Sequence, residues 1–365
     1  MELTNQTPFV AKSTFSTAID PARRFFVATA KATFDIRDSS QVALDSQDPF
    51  PLFSKDVETP LGLLPSDESP RADPVFEVIL LGKAYAKGKN AVRQMRVSLA
   101  VGSITRETEV FGDRGWVDRQ RFSQPVLFSE MPLTYDRAFG GSCAAQIDAS
   151  TTIELFDRMN RYGRGYDAER DAKDLCVSLR APRGYPVLAE KIRLLPNLED
   201  PRQPIQRWQD TPPPACWATM PIDIGFRVKW SMDLMKAGKT PAAQETVNHA
   251  YHRAHPDWII PVPPPSARVV MTGLTPSQVL AFNLPCMRPV VDILSGADVL
   301  AQPLAPQMLV LLPEQMRFYI VYRTVLLLDY AKDEERSARM RIEESWPSEN
   351  GEQATSPQRN TGRST

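Results

Sequence analysis

The chain of 365 residues is short of most of the residues that announce a chemistry. It has four cysteines, at 143, 176, 216 and 286, and no two form a C-x-x-C. That spacing argues against a zinc ribbon or a disulfide framework. It has three histidines, all within seven positions: His249, His252 and His255. Neither sign of charge is in excess, with 43 Lys and Arg against 44 Asp and Glu and a net charge of −1. Bulk charge therefore does not draw this chain to nucleic acid. No run approaches the ~18 apolar residues of a membrane span. The opening residues, "MELTNQTPFV", lack a basic stretch followed by an apolar core, so no secretory signal is expected and the expected compartment is the cytoplasm. The nucleophile elbow G-x-S-x-G and the phosphate loop G-x-x-x-x-G-K-[ST] are both missing. "GRGY" at 163–166 and the Gly pair at 140–141 are too short to cradle a phosphate.

What the chain has is proline. Its 33 prolines are about 9% of the residues, against a usual ~5%. They punctuate rather than repeat, as in "TPPPA" (211–215) and "IPVPPP" (260–265). Such punctuation suits short strands joined by rigid loops. The strand pattern agrees. In "FFVATAKATFDI" one face carries Phe26, Ala28, Ala30, Ala32, Phe34 and Ile36, and the other Thr29, Lys31, Thr33 and Asp35. That is a half-buried strand with its polar face toward water. "MRVSLAV" repeats the period with Met95, Val97, Leu99 and Val101 inward, and "FEVILLGKAYA" (76–86) reads as more deeply buried. "QMLVLLPEQMRFYIVYRTVLLLD" reads as two strands around a Pro-Glu-Gln turn, and "ARVVMTGL" and "QVLAFNLP" as another pair. The expected fold is mainly β, with some α+β character allowed. It has roughly eight to twelve strands, mostly antiparallel and sandwich-like, with long Pro-rich loops and one or two helices.

The expected organisation is a β-rich part over 1–145, a Pro-rich centre over 146–265 and a second β-rich part over 266–328. A helix is expected near 241–255, where Ala243, Val247, Ala250, Tyr251 and Ala254 form one stripe between Pro241 and Pro256. A terminal helix is expected over 329–346 and a disordered tail over 347–365. The three histidines fan across ~120° of the helix face opposite the apolar stripe. With no acid between them, they read as a solvated polar face, with His255 near the helix end, and no metal is expected. Cys143 has no histidine nearby in sequence to make it a nucleophile, and no cofactor is implied.

Three clusters remain: "FGDRGW" (111–116), "MPLTYDRAFGG" (131–141) and "LLPNLEDP" (194–201). Each joins charges to a Gly or Pro and an apolar anchor. Asp113, Arg114, Asp136 and Arg137 are expected to tie these loops together by ion pairs, with Tyr135 and Phe139 as pins and Gly140 and Gly141 supplying positive φ. Asn197 and Glu199 belong to the same set, and Trp116, Trp217 and Trp258 are candidate aromatic anchors for a partner. The same loops serve as a structural latch or as a docking surface.

In order and spacing, "NQTPF" (5–9), "KATFDI" (31–36), these three clusters and "TGLTPSQVLAFNLP" (272–285) resemble the family known as domain of unknown function 2169. The resemblance runs from about residue 3 to residue 328. It implies a role beside bacterial type VI secretion: an adaptor or chaperone, not an enzyme, that binds a secreted effector or spike-tip protein and helps to load the effector onto the spike. Neither nucleic acid nor membrane is an implied partner. The chain departs from the family pattern at Ser142 and Cys143, in "PPPACWATMPID" and in "HRAHPDW" (252–258), so its partner is expected to be its own. The alternative is an enzyme of unrecognised type built on the Asp/Arg/Tyr loop cluster.

Overall fold

The computed structural model describes residues 2–17, 22–37, 41–67, 75–118, 120–146, 152–157, 159–166, 194–221, 252–329 and 336–343. Within them the protein is mainly β. The described residues form twenty-four strands, more than expected, because many are only two to four residues long. The helical pieces among the described residues are 3-10 turns, at Lys87–Lys89, Tyr135–Arg137, Pro256–Trp258 and Pro313–Gln315. No described helix is long and apolar enough to cross a membrane.

The largest sheet has seven strands. Its long central pair is Arg23–Arg37 against Arg317–Asp329, antiparallel over the whole length. Val10–Thr17 and Gln41–Leu44 extend one side. Ala305–Leu312, Val75–Leu80 and Ile259–Pro261 extend the other. The expected turn around Pro313-Glu314-Gln315 joins Ala305–Leu312 to Arg317–Asp329, with Met316 in the left-handed region at φ 53°. The pairing of Met308–Leu311 with Glu77–Leu80 is parallel. These segments lie far apart in sequence, so short-connection logic does not govern them.

A five-stranded sheet runs Leu198–Glu199, Ile104–Phe111, Gln94–Val101, Arg268–Thr272, Val279–Asn283. Val97, Leu99 and Val101 are buried as the alternation predicts. The two sheets meet through an aromatic stack. The Phe318 ring lies 5.0 Å from Phe34 in its own sheet and 4.9 Å from Phe282 of the five-stranded sheet. Such pairs are worth ~0.5–1.5 kcal/mol beyond the area they bury. A four-stranded sheet follows the order Leu3–Asn5, Arg336–Ile342, Pro289–Ser295, Asp298–Pro303.

Three expectations change here. Residues 336–342, inside the proposed terminal helix, form a strand. Ala338 and Met340 are buried on one face, while Arg339 and Arg341 hold Asp292 on the other, at 3.1 and 2.9 Å. Period two wins because a neighbouring strand supplies the carboxylate. In the 241–255 helix, residues 241–251 lie outside the described residues, and 252–255 are not helical. Finally, the polar face of Arg23–Arg37 is not solvated: Thr29, Lys31 and Thr33 are all buried. The segment 45–67 lies over that face. Phe50 donates its N–H to Thr33 Oγ1 (2.9 Å), and Lys31 Nζ donates to the Pro51 carbonyl (2.8 Å). The 347–365 tail lies outside the described residues.

Candidate functional site

The five-stranded sheet brings the three motif clusters to one place. Phe111 ends the strand Ile104–Phe111, and Leu198–Glu199 pairs beside it, Glu109 opposite Glu199 and Val110 opposite Leu198. At the junction sits Asn197, wholly buried. Its backbone N–H donates to the Arg137 carbonyl (2.8 Å) and its carbonyl accepts from Phe111 N–H (2.7 Å). Its side-chain Nδ2 donates to the Phe111 carbonyl and to Asp113 Oδ1, both at 3.0 Å. Its Oδ1 accepts from Arg137 at 3.3 Å. One amide thus touches all three motifs with both of its functions.

The charges divide into two sets, unlike the single network expected. Arg114 is buried and pairs with buried Glu199, not with an aspartate. Its guanidinium lies 3.6 Å from the Phe111 ring centroid, a cation–π contact. Glu199 Oε2 also accepts the Ile205 N–H at 3.1 Å. Burial holds the Glu199 carboxyl above its usual range, and Arg114 opposes that shift. The second set is nearer the surface. Asp113 accepts from Asn197 and from Arg164 (3.1 Å), with Arg137 3.8 Å away. The Asn197 hydrogen bond, with help from Arg164 and Arg137, lowers the Asp113 carboxyl below its usual range. Asp136 joins neither set. It is exposed, its carboxylate forms no ion pair among the described residues, and only its backbone carbonyl binds Arg164 Nε (3.0 Å).

The glycine pair behaves as expected. Gly140 and Gly141 have φ of 138° and 132°. A Cβ on Gly140 would stand 2.1 Å from the Asn160 carbonyl oxygen. Asn160 itself went unrecognised in the sequence. Its Nδ2 donates to the carbonyls of Tyr135 (2.7 Å) and Phe139 (2.9 Å), and its carbonyl accepts from Gly141 N–H (2.7 Å). The short "GRGY" run contributes Arg164–Gly165, which pairs in parallel with Phe139–Gly140. A signal was present in that second glycine pair, since close backbone approach needs glycine on both sides.

The aromatic anchors are inside. Trp217 and Trp258 are buried and meet edge to face, centroids 6.0 Å apart. Trp116 packs with Phe139, Leu195 and Ile205 in a small satellite core, against Trp208 at 5.6 Å. None of the three is an exposed partner anchor. Tyr135 is also buried, its hydroxyl donating to the Cys216 carbonyl at 3.4 Å.

The histidines are not solvated either. His252 and His255 are buried, and His249 lies outside the described residues. His252 Nδ1 meets Glu77 Oε1 at 2.8 Å, and Glu77 Oε2 accepts the N–H groups of Arg253 (2.7 Å) and Ala254 (2.9 Å). One buried carboxylate on Val75–Leu80 therefore staples the 252–254 segment to the large sheet. His255 Nδ1 accepts the Asp257 N–H (3.1 Å) at the start of the 3-10 turn, and burial lowers its pKa. Among the described residues no three His, Cys, Asp or Glu side chains gather as metal ligands.

Below the Tyr135–Arg137 turn lies an open cleft of about 830 Å³, lined by Glu58, Thr134, Tyr135, Asp136 and Tyr162 among others. Residues 22–323 match the bacterial family described as "Uncharacterized protein conserved in bacteria (DUF2169)". The chain belongs to that family. No curated protein and no solved structure matches it. In this DUF2169 chain the most distinctive motifs are spent chiefly on one another, as a latch across the end of the five-stranded sheet.

Proposed function

We propose that this DUF2169 protein is a non-enzymatic adaptor or chaperone of bacterial type VI secretion. It binds a secreted effector, or the spike-tip protein that carries one, in the cytoplasm before export, and helps to load the effector onto the spike. Supporting the reading is the way the motif charges are used. Arg114, Glu199, Asn197, Arg137 and Asp113 close loops onto a rigid β scaffold instead of converging on a cleft. A rigid scaffold with surface edges is what holding an extended partner requires.

The enzyme alternative keeps one specific foothold, the exposed carboxylate of Asp136 on the 830 Å³ cleft. The two readings separate by stoichiometry. Co-expressed with a neighbouring effector or spike-tip gene product, an adaptor raises that partner's soluble level and co-purifies with it. The partner gains stability by mass action, ~2.7 kcal/mol at a hundredfold excess over Kd. Rescue at far less than one copy per effector points instead to turnover. Normal secretion and killing by a strain lacking the gene would defeat the proposal.

A further inference from the structure

The large sheet holds a buried cation that no carboxylate meets directly. Arg323, on the strand Arg317–Asp329, is only 4% exposed. Its Nε donates to Thr29 Oγ1 (3.3 Å), its Nη1 to Gln307 Oε1 (3.0 Å) and its Nη2 to the Asp67 backbone carbonyl (2.5 Å). All three acceptors are neutral. A guanidinium has five N–H groups, so two remain without an acceptor among the described residues.

The Asp67 carboxylate is already engaged, by Lys31 Nζ at 2.6 Å and by the Phe53 N–H at 2.6 Å. Lys31, Asp67 and Arg323 are thus two buried cations around one buried carboxylate. Burial pushes Arg323 down to about 10, against the pull of Asp67, and that still leaves it charged at neutral pH. An excess buried charge is costly unless a group of opposite sign reaches it.

Arg323 also lines a pocket of about 580 Å³, the size of a small-ligand site. The walls include Phe76, Leu284, Met287, Ile320 and Tyr322, and no Asp or Glu among the described residues lines it. Exposed Arg288 brings a second guanidinium to the same pocket. Its Nε meets Glu343 at 3.0 Å, so the unanswered charge is that of Arg323. A guanidinium with N–H groups to spare matches a carboxylate in charge and in planar geometry. A small inorganic anion would answer the charge and leave the apolar walls wet. A neutral apolar molecule would do the reverse.

We propose that this pocket binds a carboxylate carried on an apolar body, the carboxylate on Arg323 and the body against Leu284, Met287 and Tyr322. Such a group comes either as a free organic acid or as the C-terminus of a chain that ends in an apolar residue. The recognition chemistry is the same, and the test separates the two sources. The inference stands independently of both the adaptor and the enzyme reading.

The probes are octanoate, octanol, inorganic phosphate and an acetylated Ala-Ala-Leu peptide with a free or an amidated C-terminus, each titrated into the full chain by calorimetry. At least one of the two acids should bind about tenfold or more tightly than its neutral counterpart, since a charge-assisted pair is gained. The tighter acid identifies the source. Bound acid should also slow alkylation of Cys286, an exposed thiol that lines the pocket, by N-ethylmaleimide. These arms use the unmodified protein and decide the matter alone if the variant below does not fold. Arg323→Met should abolish the preference for acid over neutral counterpart. Arg288→Gln should reduce it less, because Glu343 already holds Arg288. The inference is overturned by any of five results: neither acid binds, the neutral counterparts bind as tightly, phosphate binds as tightly as the better acid, Cys286 alkylation is unchanged with acid bound, or a folded Arg323→Met protein keeps the preference.

Discussion

Two buried ion pairs hold this protein in different ways. Lys31–Asp67 lies in the middle of the large sheet, at 2.6 Å, with side-chain exposures of 0% and 1%. Arg114–Glu199 lies in the latch, at 4% and 3%. The first is made by a strand and the segment folded over it, with the Lys31 ammonium 4.0 Å from the Phe53 centroid and 4.5 Å from that of Tyr319. The second is made by a loop residue that follows the strand Ile104–Phe111 and by the short strand Leu198–Glu199. Both sets of residues are polar in sequence, yet only the second stood out as a candidate. A charge in a period-two strand looks like surface, and only tertiary cover makes it core.

The sharpest way to break the comparison is to strand one partner. Asp67→Ala leaves Lys31 buried without its carboxylate and should cost about 3–5 kcal/mol, read by urea denaturation. Lys31→Met combined with Asp67→Leu should recover most of that loss, since a well-packed apolar pair often equals a buried ionic one. If Asp67→Ala melts like wild type, the cover over Lys31 is loose and the strand is half-buried as its alternation first suggested.

That contrast marks how far the sequence could be read. The strands Gln94–Val101, Ala305–Leu312 and Arg317–Asp329 and the loop motifs were legible because period and turn chemistry are local. The latch charges were legible as residues but not as partners. Glu199, not an aspartate, meets Arg114, because strand register places Glu199 opposite Glu109 beside the 111–114 turn. Asn160 and Glu77 were missed, since a lone amide or carboxylate has no pattern until the backbone it satisfies arrives. In Arg336–Ile342 the alternation of Ala338, Met340 and Ile342 was visible, but the arginines read as a helical surface without Asp292 beside them.

A pH titration sharpens the comparison next. Burial pushes Lys31 down to about 8 from 10.5, against the pull of Asp67. Between those values the unfolded chain keeps a proton that the folded chain has released. Stability therefore rises with pH across that window, by roughly 3 kcal/mol from this group. The Lys31→Met/Asp67→Leu protein should lack that component, measured as the difference between the two denaturation profiles from pH 8 to 10.5. Parallel profiles would mean that Lys31 stays charged in the fold.

In the latch, the corresponding break is Asn197→Ala. It removes two donated bonds and one accepted bond while leaving the backbone links, so a loss of about 2 kcal/mol is expected. Asn197→Asp should be no milder. It loses the donor to the Phe111 carbonyl and sets a second carboxylate against Asp113. If Asn197→Ala leaves stability unchanged but abolishes co-purification with a secretion partner, the three motifs form a docking surface instead of a latch.

The smallest expected effect falls on Asp136, a motif charge that lies outside the latch. Its carboxylate is exposed and unpaired among the described residues, so Asp136→Asn should change stability by less than about 0.5 kcal/mol. A small number is informative here because the carboxylate of Asp113, twenty-three positions earlier, is held by three neighbours and the carboxylate of Asp136 by none of them. The sequence motif "YDR" thus combines a buried pin, an acid unpaired among the described residues and a latch cation in consecutive residues. The structure gives folding roles to Tyr135 and Arg137 but none, among the described residues, to the side chain of the acid between them. If Asp136→Asn also leaves partner co-purification and effector solubility unchanged, the acid serves neither. If it halts an activity at constant stability and constant partner binding, the open cleft beside it is catalytic and the adaptor proposal gives way to the enzyme one.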